Sequence, residues 1–100
     1  MGELWRYFNQ DYWNHFQQKV VKDELVKHYD FYNQIKSDHL FEDDIYQALA
    51  ALSKSMFKNE VENYNCWLKT KIPALDNHTP AELSSKPHGM NWIREYIIRQ

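Results

Sequence analysis

Gly2 and Gly89 are the only glycines in a chain of 100 residues, and that scarcity constrains the fold more than any other feature. The dinucleotide-binding fingerprint and the phosphate-binding P-loop each need several glycines so that backbone can approach phosphate closely. Neither can be written with two. The chain also has only three prolines, too little turn punctuation for the many reversals of a sandwich or barrel. Helices remain, and 43% hydrophobic with 16% aromatic residues gives them ample material for a core. A chain of this length builds one core. The expectation is an all-α fold, a compact bundle of five or six helices.

Other classes fall away on similar grounds. The longest unbroken apolar run, Ala48 to Leu52, is far shorter than the ~18 residues of a membrane span, so no membrane segment is expected. Cys66 is the one cysteine. It cannot form an internal disulfide, which suits a reducing cytoplasm, and it is expected to lie buried as a small apolar residue. Residues 1–44 hold five basic and nine acidic groups, residues 45–100 seven and five. Neither half shows the dense basic stripe that phosphate contact demands, so DNA binding by this chain alone is not expected. His15, His28, His39, His78 and His88 never take the spacing of a helical zinc motif, and no serine has the flanking glycines of a nucleophile elbow. No metal, cofactor or catalytic residue is expected, and the chain does not read as an enzyme.

From Glu3 to Ser37 no proline or glycine interrupts the chain. Trp5, Phe8, Tyr12, Phe16 and Val20 follow the three-and-four spacing of one helix face. The stripe loses phase at Lys22-Asp23-Glu24 and resumes at Leu25/Val26, Tyr29 and Tyr32, which predicts a break near Asp23. Ten of the sixteen aromatic residues precede Tyr46, so residues 1–44 read as an aromatic-rich helical segment whose rings are mainly packed faces. Ser37 or Asp38 is expected to cap the next helix, with Glu42, Asp43 and Asp44 in early turns where the helix dipole favours anions. Ile45, Ala48, Leu49, Leu52 and Met56 form its buried stripe. Asn59 with Glu62 has the form of a capping box for a helix carrying Val61, Tyr64, Trp67 and Leu68. Thr79-Pro80-Ala81-Glu82 is a stronger start signal, with a capping threonine, proline at the first helical position and glutamate at the third. Asn91 is expected to cap a last helix, with Ile93, Tyr96 and Ile97 facing in and Arg94, Glu95, Arg99 and Gln100 facing out.

The stretch from Trp67 to Leu83 resembles the toxin-binding domain of the Xre/MbcA/ParS antitoxins. In that family a helix ending in Trp-Leu runs into a loop of the form Pro-x-Pro-Ala-Leu, then a glycine turn, then Thr-Pro-x-x-Leu opening the next helix. Trp67, Leu68, Pro73, Ala74, Leu75, Thr79, Pro80 and Leu83 fall at the matching positions. Lys71 stands at the first proline and Asn77 at the glycine. Asparagine is among the few residues that enter the left-handed conformation readily, so the turn is expected to form. Physically the motif is mostly scaffold: Trp67 fills the core, Pro73 stops one helix and Thr79-Pro80 starts another.

The resemblance extends over about residues 45–100, an antitoxin-like toxin-binding helical domain packed as one unit with residues 1–44. Those first residues lack the helix-turn-helix that family members place there. What the resemblance implies is a bacterial, cytoplasmic antitoxin whose partner is a RES-domain toxin that consumes NAD or uses it for ADP-ribosyl transfer. The antitoxin covers the toxin's NAD cleft with its C-terminal region, and the NAD belongs to the toxin. Toxin contacts would then fall on Arg94, Glu95, Ile98, Arg99 and Gln100, and a homodimer is compatible with this arrangement. The alternative is a helical adaptor or self-associating protein without a toxin partner, using its N-terminal aromatics.

Overall fold

The computed structural model describes residues 8–100; Trp5, the first residue of the expected stripe, lies outside them. Helices α1 (Gln10–Phe16) and α2 (Lys22–Leu25) form one run, joined by a π-helical turn at Gln17–Val21. A 3₁₀ turn at Val26–His28 leads to α3 (Tyr29–Ile35), and a second at Lys36–Asp38 leads towards α4 (Asp43–Ala51). Helix α5 (Ser53–Phe57) continues α4 across a bend at Leu52. Then come α6 (Val61–Leu68), a 3₁₀ turn at Pro73–Leu75, α7 (Pro80–Leu83) and α8 (Gly89–Ile98). Counting joined stretches once gives six helices among the described residues, and the only β-pairing there is an isolated bridge between Ile72 and His78.

Of the expected stripe, Phe8 and Phe16 pack partly buried against the core, whereas Tyr12 (55% exposed) and Val20 (37%) stand in solvent and Trp13 (0%), Val21 (1%) and Leu25 (8%) are buried. A π turn closes i→i+5 bonds and so takes up one residue more than an α turn, which is why the face passes from Phe16 to Val21 rather than to Val20. Asp23 lies inside α2 rather than at a break. The chain breaks instead at His28, with φ −133° and ψ 30°, after which Phe31 and Ile35 are buried and Tyr29 is exposed.

Helix α4 occupies the centre: Ile45, Ala48, Leu49 and Ala50 are all 0% exposed. It packs against α2, α3 and α8, and α1 also touches α8, so residues on either side of position 44 share one core. The radius of gyration, 12.6 Å, matches the ~13 Å of a single 100-residue domain.

Three expected caps are used differently. Glu42 precedes α4 without a side-chain cap bond, and Asp38 instead accepts from the Leu40 amide at 3.0 Å and from two tyrosine hydroxyls. Asn59 closes α5 rather than opening α6: at φ 59° its amide reaches the Ser53 carbonyl (3.0 Å), and its side chain accepts from the Ser53 hydroxyl (2.9 Å). Two helices compete for one asparagine, and the left-handed exit from α5 needs it more. Asn91 lies inside α8, which starts at Gly89 because that residue touches the backbone of α7. A Cβ there would sit 1.7 Å from the Leu83 carbonyl oxygen.

Candidate functional site

The loop from Trp67 to Leu83 is a closed, hydrogen-bonded unit. Helix α6 ends at Leu68, where the Thr70 hydroxyl donates to the Cys66 carbonyl (2.7 Å). The Ile72 amide donates to His78 (3.1 Å) and the Asn77 amide returns to Ile72 (3.0 Å), closing the loop around Pro73–Leu75. Asp76 and Asn77, at φ 56° and 62°, carry the reversal, so Asn77 takes the conformation expected of it. Thr79 then opens α7 with both halves of a capping box: its Oγ1 accepts from the Glu82 amide (3.0 Å), and Glu82 accepts from the Thr79 amide (3.4 Å). His78 Nδ1 lies 3.4 Å from the Glu82 carboxylate. That contact, joined by the Thr79 bonds, holds Glu82 below the usual carboxyl range.

The matching residues divide into scaffold and surface. Leu68, Leu75, Thr79, Pro80 and Leu83 are buried, whereas Pro73 and Ala74 are exposed. Trp67 does not fill the core as expected; it is half-buried at the rim of an aromatic cluster. Its ring lies 5.5 Å from Phe57, 6.0 Å from Tyr64, and 6.4 Å from both Phe41 and Tyr96, and its buried indole N–H has no acceptor among the described residues.

Helix α8 corrects the expected contact surface. Arg94 and Glu95 were expected to face solvent, yet they are 9% and 7% exposed. Arg94 Nε donates to Asp44 Oδ2 (2.9 Å) and its Nη2 to Asp44 Oδ1 (3.0 Å), a bidentate pair that also takes in Glu42 and, through Nη1, Asn91 (2.8 Å). The acids of the first turn of α4 neutralise a guanidinium on the inner face, which is why it need not turn outwards. Burial opposes the Arg94 charge, and the bonds to Asp44 and Glu42 outweigh it, holding the guanidinium above its ordinary value. Glu95 accepts from Arg99 Nε at 2.6 Å. What α8 leaves at the surface is its end: Ile98 half-buried, Arg99 and Gln100 exposed.

Two side-chain hubs have no counterpart in the sequence reading. Asp44 accepts from the Trp13 indole (2.9 Å) as well as from Arg94, joining α1, α4 and α8 at one carboxylate. Asp38 accepts from the hydroxyls of Tyr46 and Tyr64 (2.7 Å for Tyr64), and Tyr46 in turn accepts from the amides of Leu40 (2.7 Å) and Phe41 (3.0 Å). Burial and then Asp38 push Tyr46 up to about 12, and the same causes raise Tyr64 further. The acidic residues were legible as helix-start charges, but nothing in their spacing points to partners 31 and 50 residues away.

Cys66, expected to be buried, is exposed on α6. Among the described residues no three histidine, cysteine or carboxylate side chains gather as a metal site, and no helix is long and apolar enough to cross a membrane. The geometry defines a small all-α protein with a C-terminal helix clamped through Arg94 and a hydrogen-bonded loop before it. Compared with family models, curated proteins and solved structures, the chain finds no match in any of the three.

Proposed function

We propose that the chain is a cytoplasmic antitoxin-type binding protein that covers the NAD cleft of a RES-type toxin with the exposed end of α8. The observation that supports this reading most is the form of the loop. Left-handed Asn77 and the Thr79–Glu82 capping box supply the turn and the helix start that the resemblance calls for, which supports the reading despite the departure at Asn77. Arg94 is committed to Asp44 and Glu42, which moves the toxin contact to Ile98, Arg99 and Gln100. The Arg99 side chain is 56% exposed, and its planar fork can exchange Glu95 for an acidic group of the toxin. Arginines are enriched among interface hot spots.

The test is co-expression of this chain with a RES-type toxin encoded beside its gene, scoring growth and cellular NAD. Protection by the parent chain and its loss in Arg99→Glu, scored below that variant's own melting transition because buried Glu95 loses its partner, is the expected result. A parent chain that gives no protection sinks the reading. A second reading, a helical adaptor that self-associates, is favoured by exposed Tyr12 (55%), Val20 (37%), Val26 (67%) and Tyr29 (50%). Sedimentation that shifts with concentration, and stops shifting in Tyr29→Ser, would support it.

A further inference from the structure

Between Gln10 and Val20 a single side chain is buried. Trp13 is 0% exposed, Phe16 and Gln17 are half-buried, and the others stand in solvent. Phe8 and Phe16 flank the Trp13 ring at 6.3 and 5.7 Å, so these aromatics share one docking seat. The floor of that seat is charged. Asp44 Oδ2 accepts from the Trp13 indole and from Arg94 Nε, both at 2.9 Å, and the guanidinium lies 5.9 Å from the centroid of the Trp13 ring. Trp13 therefore lies over the ion pair that clamps α8, and by keeping water from it strengthens it.

Beyond the π turn the attachment changes. Val21 and Leu25 are buried and α2 packs on α4, so that half of the run is held by the core. Helix α1 has seven residues, whereas about 12–15 are needed for a helix to persist unaided in water. Once Trp13 leaves its seat, no fully buried side chain holds the chain helical until Val21. Few buried contacts and many exposed backbone bonds mark a segment that opens ahead of the rest.

We infer that α1 is a strap: it docks through Trp13 over the Arg94–Asp44 pair and releases as one unit, back to the π turn, while α2 to α8 stay folded. The inference stands independently of the antitoxin reading. The test is native-state hydrogen exchange of the full chain, followed by NMR in sub-denaturing urea. Amides 13–17 should be protected at least about tenfold less than amides 48–51 of α4, with a shallower urea slope because less surface opens. Trp13→Phe keeps a ring in the seat but withdraws the N–H from Asp44, and should speed exchange of amides 13–17 about tenfold. Phe57, 1% exposed, packs its ring against Phe31, Tyr64 and Trp67, contacts that a released α1 leaves intact. Phe57→Leu should therefore speed amides 48–51 and leave amides 13–17 unchanged. Equal protection and equal slope in the two sets overturns the proposal. So does Phe57→Leu speeding both sets alike, or Trp13→Phe leaving amides 13–17 as they were.

Discussion

Replacing Arg94 by alanine is the sharpest test of how α8 is held. The side chain is 10% exposed, its partner Asp44 29% and Glu42 62%. Glu42 is solvated enough to lose little, as exposed pairs usually do. Asp44 is the group at stake. Removing one member of a fully buried pair costs about 3–5 kcal/mol because the other charge is stranded. Here Asp44 keeps the Trp13 indole donor at 2.9 Å and remains in the first turn of α4, where the helix dipole favours it. Partial exposure lowers the cost further, to about 2–3 kcal/mol. A domain of this size loses roughly 4–8 °C of melting temperature per kcal/mol, so Arg94→Ala should melt about 10–20 °C below the parent. Circular dichroism melts measure this directly. Asp44→Asn in the Arg94→Ala background removes the stranded charge and should recover part of the loss, giving a coupling above about 1 kcal/mol in a double-mutant cycle. An outward-facing Arg94, as the sequence alone predicts, would cost no more than about 0.5 kcal/mol. A melting temperature within about 3 °C of the parent would therefore refute the clamp.

Gly89→Ala puts a Cβ against the Leu83 carbonyl oxygen, a contact of 1.7 Å that only a backbone shift can relieve; a loss of about 2–4 kcal/mol is expected in urea unfolding. Trp13→Phe keeps most of the buried ring but withdraws its N–H from Asp44, which should cost about 1–2 kcal/mol by the same measurement, against about 3–5 for Trp13→Ala. The raised hydroxyls of Tyr46 and Tyr64 give an alkaline signature. A group whose folded value lies above its unfolded one stabilises fully below the unfolded value, so stability should hold up to about pH 10 and fall as pH rises through about 12. Tyr46→Phe should flatten that limb in unfolding titrations followed across this range.

The helical class and the start of α7 were legible because each rests on signals close in sequence. Thr79, Pro80 and Glu82 specify their capping box within four residues, and two glycines rule out whole architectures. Phe8 and Phe16 of the expected N-terminal face do pack against the core, but past Phe16 the face was misread by one position because a π turn leaves no compositional mark; the phase of Trp13 follows from where its indole finds Asp44, 31 residues on. Asn59 and Asn91 satisfy the same local rule that succeeded at Thr79. Asn59 lost to a competing helix end and Asn91 to the earlier start that Gly89 allows. Arg94 shows the limit most clearly. Its place on the helix wheel permits either side, and only the carboxylates of a distant helix decide which.

The turn at Gln17–Val21 leaves this region free in length as well as in identity. Gln18 and Lys19 are exposed and can be exchanged for almost any side chain at little cost. A π turn takes up one residue more than an α turn while closing about the same angle, so deleting either would leave a regular helix with the phase on both sides kept. Trp13 would still face Asp44 and Tyr12 would still face solvent, the first helix moving by about one residue's rise, ~1.5 Å. The extra residue is therefore one the chain can gain or lose here without turning a buried side chain outwards, a freedom the middle of a regular helix does not have.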